Sequence, residues 1–245
     1  MNKRLVPDLF CFPLEIAEMS NCRAVGDALV RAIRPYGMTT YAVGACPPRD
    51  APYRTGFVIS NWPADWDELY MATRMGEHDP ILHAVQLNSD PVLARDIREG
   101  RAGFTPTPEE LSFFDTAERL GRPNGLIVPL FGAQGYRGVG YVCGPGPNPD
   151  ARDRVVIQFL VLHAHNRMRA LYAAQHREAG LRLSLREREI LNAARRGLGD
   201  EEIAQAAAIS VRTVRFHFEN ARRKLEARNR TEAIAKAVQL QLLGV

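Results

Sequence analysis

The chain has 245 residues, 46% of them hydrophobic and 24% charged, which suits one large or two ordinary domains and is the composition of an ordinary soluble globular protein. Its net charge of +4 lies entirely in residues 183–245, where 12 Lys and Arg stand against 8 Asp and Glu; a local basic excess points to a polyanionic partner, though four charges are few. The apolar runs GLIVPLF and VVIQFLVL are too short to span a bilayer, Pro7, Asp8, Pro13 and Glu15 break the run a signal peptide needs, and Cys11, Cys22, Cys46 and Cys143 form no CxxC pair, so the expectation is a cytoplasmic protein with free thiols, without membrane, metal or cofactor.

In chain order, residues 14–34 have helical spacing, with Val25, Leu29 and Ala32 on one stripe. Residues 39–46 and 54–60 read as strands separated by the turn-rich PPRDAP. ADWDELYMATRM returns to helical spacing, with Trp66, Leu69, Tyr70 and Thr73 on a shared face. A short helix follows in DPILHAVQL, with Asp79 as N-cap and Pro80 in the first turn. TPEELSFFDTAERLG is an amphipathic helix capped by Thr107 and ended by Gly121. GLIVPLFGAQGYRGVGYVCG reads as a β-hairpin turning near Ala133, Gln134 and Gly135, and residues 150–175 are helical again. Strands and helices therefore mix up to about residue 173, a linker is expected over 174–182 around Gly180, and residues 183–245 are helix only.

In that last segment Ser184 and Glu187 have capping-box spacing and Gly197 supplies a stop. A second short helix starts with Asp200 as the expected cap and turns Ile203, Ala204 and Ala207 inward. Ser210 caps a longer helix whose inward stripe is Val211, Val214, Phe218, Ala221 and Leu225. Its opposite face carries Arg212, Arg215, Phe216, Glu219, Arg222 and Arg223, and a final helix opens at Thr231. Two short helices, a turn and a basic helix make a helix-turn-helix, whose second helix lies in the major groove of double-stranded DNA. Guanidinium groups suit that task because they fork onto guanine O6 and N7 or grip phosphates. The competing reading is a solvated helix bundle.

Farther up the chain, NWPADWDELYMATRMGEHDPI crowds two Trp, a Tyr and an Asp into eighteen residues. Such aromatics are often core filler. Their polar atoms allow more: indole N–H only donates, phenol donates and accepts, and an ionised Asp only accepts. That set complements a small ligand bearing carbonyls and an amide N–H in an apolar pocket, and a buried Asp needs a partner.

Both segments resemble one family. Glu187, Leu191, Gly197, Glu202-Ile203-Ala204 and Thr213-Val214-x-x-His217 match the pattern of the LuxR-type helix-turn-helix over about sixty residues. The resemblance implies base-edge roles for Arg215, Phe216 and Glu219, and helical spacing puts Arg212 on the same face as a further DNA-binding candidate. Thr213, His217, Arg222, Arg223 and Lys224 would meet phosphates. Trp62-Pro63, Trp66, Tyr70 and Asp79-Pro80, with Gly125 and Pro129 later, resemble the autoinducer-binding domain of LuxR-type quorum-sensing regulators. This implies an N-terminal α-β-α sandwich with an antiparallel sheet that binds an N-acyl-homoserine lactone, joined to an all-α C-terminal helix-turn-helix domain, working as a homodimer. Trp66 would donate to the lactone carbonyl, Asp79 would accept from the amide N–H, and Tyr70 would pack on or bond near the acyl carbonyl.

Three departures bear on specificity. Trp62 stands where the family usually has Tyr, Ala94 is the nearest counterpart of a missing second Trp, and Tyr141 replaces a small hydroxyl residue. Ala94 opens space at the lactone end while Trp62 and Tyr141 fill the acyl end, which suits a short, branched or aryl acyl group. Two rivals remain: a family member that binds DNA without a lactone or answers to another small molecule, and a hydrolase in the N-terminal domain, for which the segment offers no nucleophile–base pair.

Overall fold

The computed structural model describes residues 9–46, 57–72, 75–132, 136–178, 183–239 and 242–243. They divide into two compact units, one holding the described residues up to Leu171 except Phe57, the other holding Phe57 and the residues from Tyr172 on.

The first unit opens with α1 (Cys11–Ala17) and α2 (Cys22–Ile33), where the spacing predicts one helix over 14–34. The break is made by Asn21, whose backbone is extended and whose side chain accepts from the Ala24 N–H at 2.9 Å, so the chain starts a fresh helix there. A 3₁₀ turn over Arg34–Tyr36 leads into β1 (Thr40–Ala45), then β2 (Val58–Ser60) and α3 (Ala64–Ala72). On α3 Trp66 and Tyr70 are buried, but Leu69, expected on the same face, is exposed, and Thr73 lies outside the described residues.

A 3₁₀ turn (Met75–His78) precedes α4 (Pro80–Leu87), capped by Asp79 as expected. β3 (Val92–Leu93) and α5 (Ala94–Arg98) were not legible in the sequence; both are too short to show a period. α6 (Pro108–Arg119) carries a complete Thr107–Glu110 capping box. β4 (Asn124–Phe131) and β5 (Arg137–Gly144) form the expected hairpin, whose tip at 133–135 lies outside the described residues. α7 (Ala151–Glu178) runs past the predicted end at 175, so helix occupies 174–178; residues 179–182 of the expected linker lie outside the described residues.

The five strands form one antiparallel sheet in the order β2-β1-β5-β4-β3. Tyr141 on central β5 lies opposite Ala42 of β1 and Ile127 of β4, so these three side chains share one face. That face packs against α3–α6 through Trp66, Tyr70, Ile81, Phe113 and Phe114. Gly140 points to the other face, where the Val161 side chain of α7 occupies the space a Cβ would need. Helices thus cover both faces of an antiparallel sheet, the α-β-α sandwich read from the sequence.

The second unit is helical: α8 (Leu185–Arg195), α9 (Asp200–Ala207), α10 (Val211–Lys224) and α11 (Arg230–Gln239). Ile190, Leu191, Ile203, Val214, Phe218 and Leu225 lie in its core. Two caps differ from expectation. Gly199 holds the N-cap position of α9 and its N–H is taken by the Glu202 carboxylate at 2.8 Å, so Asp200 stands one residue inside the helix. α11 is capped by Asn229, whose Oδ1 accepts from the Glu232 N–H at 2.9 Å, and Thr231 is an exposed residue within it.

Candidate functional site

On the aromatic face of the sheet, the six residues singled out in the N-terminal segment come together. Trp66 and Tyr70 stand four apart on α3, which puts them on one helix face. Their rings lie 6.3 Å apart, and Phe113 of α6 meets Trp66 edge-on at 5.3 Å. Trp62, half-buried in the loop before α3, stacks on Trp66 at 4.1 Å and lies 6.2 Å from Tyr141, tilted only 20° from its plane. Ala94, buried at the start of α5, belongs to the same cluster. Tyr141 is buried on β5; the outer end of its ring lies against Gly125, where a Cβ would come within 2.5 Å of it, so the glycine of β4 is what admits so large a side chain.

Asp79 divides its carboxylate between two tasks. Oδ1 accepts from the backbone N–H of Ile81 at 2.7 Å and of Leu82 at 3.4 Å, capping α4. Oδ2 accepts from the Tyr70 hydroxyl at 2.7 Å, tying α3 to α4. Desolvation raises its pKa from an ordinary 3.8 to about 6, against the lowering effect of the Tyr70 and backbone hydrogen bonds. Burial likewise pushes the Tyr141 phenol well above its usual range. The site is therefore an aromatic wall holding one carboxylate poised near neutrality, which can present an indole donor and an anionic acceptor to the same small molecule.

Two neighbours carried no sequence signal. Arg122 lies over the Trp62 ring at 5.2 Å, its Nε donating to Thr40 Oγ1 at 2.8 Å. Phe113 was visible only as one apolar position of α6.

In the second unit, α10 presents the expected basic face. Arg212, Arg215, Phe216, Glu219 and Arg223 are exposed, while Thr213, His217 and Arg222 are half-buried. Phe216 stands 61% exposed, unusual for so large an apolar ring. Thr213 closes the first turn with Ser210: its N–H donates to Ser210 Oγ at 3.1 Å and the two hydroxyls bond at 2.8 Å. The guanidinium groups are differently employed. Arg222 gives Nε and Nη2 to the Glu219 carboxylate at 2.9 and 2.5 Å and Nη1 to the Ala227 carbonyl. Arg223 donates to Asn220 at 2.9 Å. Arg215 gives only Nε, at 3.0 Å, to Asp200. Lys224 bonds Glu187 at 2.7 Å. Burial tends to raise the Glu187 pKa, but the bonds from Lys224 and the Ser184 backbone outweigh it and hold the carboxyl below its usual value. Glu187 thus caps α8 and anchors the end of α10, which gives Lys224 a role in the fold besides any contact with a phosphate.

Among the described residues, no group of three His, Cys, Asp or Glu side chains could hold a metal ion, and no helix is long and apolar enough to cross a membrane.

With this geometry in hand, known proteins bear on both sites. Residues 21–168 match the family model of the autoinducer binding domain, and residues 181–237 match that of the bacterial regulatory proteins of the luxR family. The chain is 31% identical over 207 residues to the HTH-type quorum sensing-dependent transcriptional regulator RpaR of Rhodopseudomonas palustris, covering 84% of this chain and 83% of RpaR. It is 26% identical over 218 residues to the transcriptional activator protein BjaR1 of Bradyrhizobium diazoefficiens, covering 89% and 88%. Escherichia coli SdiA shares the fold, with a TM-score of 0.67 at 21% identity over 97% of this chain and 100% of that one.

Proposed function

Since the chain belongs to the luxR family of bacterial regulatory proteins and joins an autoinducer-binding domain to a helix-turn-helix DNA-binding domain, we propose that this quorum-sensing transcription regulator takes an N-acyl-homoserine lactone against the aromatic face of its sheet and grips a near-palindromic operator as a homodimer in the cytoplasm. Its relatives are transcriptional regulators and not enzymes. The sensor is assigned to residues 1–173, the linker to 174–182 and the DNA reader to 183–245.

The observation that carries the reading is the Trp66–Tyr70–Asp79 constellation, a donor and an acceptor fixed within one aromatic cluster. Trp66 donates its indole N–H to the lactone carbonyl. Asp79 accepts the amide N–H on Oδ2, which has a lone pair left beside its bond to Tyr70. Tyr70 has one hydroxyl proton, and that proton is engaged by Asp79; it therefore orients the acceptor and packs beside the acyl carbonyl rather than donating to it. Ala94 leaves room at one end, while Trp62 and Tyr141 narrow the acyl end, which favours a short, branched or aryl acyl group.

On the DNA side, Arg212, Arg215, Phe216 and Glu219 face the major groove, with Phe216 available to a thymine methyl. Thr213, His217 and Arg223 flank them toward the phosphates. In a two-fold dimer the half-sites lie about 34 Å apart, roughly one helical turn.

Thermal denaturation against a panel of acyl- and aryl-homoserine lactones tests the sensor. Ligand at a hundredfold its Kd stabilises the protein by about 2.7 kcal/mol, a shift of several degrees. A well-folded protein that no lactone shifts would refute lactone binding and leave a regulator of the same family answering to another signal.

A further inference from the structure

Asp200, Arg215 and Arg230 form a cluster that neither capping nor core packing accounts for. Asp200 stands in the first turn of α9, Arg215 on α10 and Arg230 at the start of α11. Arg230 donates Nη1 to Asp200 Oδ1 at 2.5 Å and Nη2 to the Leu198 carbonyl at 3.0 Å, and its guanidinium lies over the Phe218 ring at 4.8 Å. That side is a built anchor. The second carboxylate oxygen reaches outward and takes Arg215 Nε at 3.0 Å.

The atom used is the informative part. A guanidinium meets a guanine through two parallel N–H groups. With Nε held, the end-on pair Nη1 and Nη2 stays together and faces outward; the side chain is 72% exposed, and among the described residues those two nitrogens have no partner. On the same helix Arg222 has given all three of its nitrogens to Glu219 and Ala227. The charge balance points the same way: an arginine already paired with a carboxylate is drawn less to a phosphate, and what remains is directional hydrogen bonding.

We infer that Asp200 is a positioning residue that holds Arg215 by Nε so that its terminal fork reads one guanine in each half-site. The inference rests on the DNA-binding reading above and adds a division of labour to it. Arg215 supplies sequence discrimination, Asp200 supplies its pose, and Arg230 fixes Asp200 and offsets its charge beside the DNA. Tethering a long exposed side chain before binding removes rotamer freedom that would otherwise be lost on contact.

The test uses the full-length protein with the lactone that stabilises it, and the duplex it enriches from a randomised pool, with each base pair then substituted singly. Asp200→Asn and Arg215→Lys should both lose, on the order of tenfold, discrimination at the same G·C pair of each half-site. Discrimination at the other base pairs should be unchanged for Asp200→Asn. Asp200→Glu, which keeps the charge, should recover part of the loss. The inference is overturned if Asp200→Asn weakens all duplexes equally, or if Arg215→Lys, an exposed change that leaves the fold intact, keeps discrimination at every pair. A wild-type protein that enriches no sequence would instead overturn the DNA-binding reading itself.

Discussion

If Asp79 accepts the ligand amide as proposed, lactone binding should be sensitive to acid. Its carboxyl titrates near pH 6 in the folded protein, and only the ionised form can accept both the Tyr70 hydroxyl and a ligand amide N–H. The lactone itself does not titrate between pH 5 and 7, so the apparent affinity should scale with the ionised fraction of Asp79, and the apparent Kd inversely with it. At pH 7 that fraction is about nine-tenths, and at pH 5 about one-tenth, which weakens binding roughly tenfold, or about 1.4 kcal/mol. The protein carries only two tryptophans, Trp62 and Trp66, and they stack on each other in the site, so selectively excited tryptophan fluorescence on titration with a lactone reports this site. Asp79→Asn keeps a carbonyl acceptor that does not titrate; its affinity at pH 7 should fall on the order of tenfold, for loss of a charge-assisted hydrogen bond, and should then be flat down to pH 5. A wild-type Kd that is constant from pH 7 to pH 5, or a variant that follows the same curve, would refute the assignment of Asp79 as the amide acceptor.

Three further outcomes are expected. Gly125→Ala drives a Cβ to 2.5 Å from the Tyr141 ring and should cost about 1–3 kcal/mol, seen as a lower Tm, and the same change should cost less when made in a Tyr141→Ala background. Lys224→Met leaves Glu187, 3% exposed, without its cationic partner; because the lysine is itself 38% exposed, the loss should be nearer 1–2 kcal/mol than the full cost of breaking a buried pair, and chemical denaturation would expose the error if stability were unchanged. His165 is buried and bonded to Tyr136 at 2.9 Å, and desolvation, with Arg169 adding to it, lowers its pKa from 6.5 to about 4. Its contribution of roughly 3 kcal/mol is therefore full above pH 6.5 and lost as pH falls toward 4; Asp79, whose raised pKa stabilises the fold on acidification from about 6 to about 4, opposes it, so Asp79→Asn should melt with a steeper acid dependence than the wild type.

What was legible in the sequence was whatever the chain decides within a few residues. The Thr107–Glu110 and Ser184–Glu187 boxes, the Asp79 and Ser210 caps and the apolar stripe of α10 all span three or four positions, and all are present. The aromatic cluster was legible for the same reason, since Trp66 and Tyr70 are one helical turn apart. The reading failed at two helix starts by one or two residues: Gly199, not Asp200, holds the N-cap position of α9, and Asn229, not Thr231, caps α11. What no local pattern reveals is who answers a charge from far away. Arg122 reaches Thr40 across 82 residues, and Arg230 reaches Asp200 across 30. Asp200 looked like a cap because its partners were out of sight.

The same carboxylate serves the fold and the proposed chemistry, and this bears on how a ligand would be felt. Asp79 caps α4 with one oxygen and receives Tyr70 of α3 with the other; Trp66, one turn before Tyr70, stacks under Trp62. A lactone held by Trp66 and Asp79 would therefore add a bridge from α3 to the cap of α4 beside the Tyr70–Asp79 hydrogen bond, and would favour the ionised Asp79 that desolvation penalises. Ligand affinity and local stability are then one quantity seen from two sides: whatever weakens the Tyr70–Asp79 bond should lower both together. Tyr70→Phe separates the alternatives, because it keeps the ring and removes only the hydroxyl group. If Tyr70 acts by orienting Asp79, the variant should weaken every lactone by a similar factor, whatever its acyl group; if the hydroxyl instead met the acyl chain, the loss would depend on the chain.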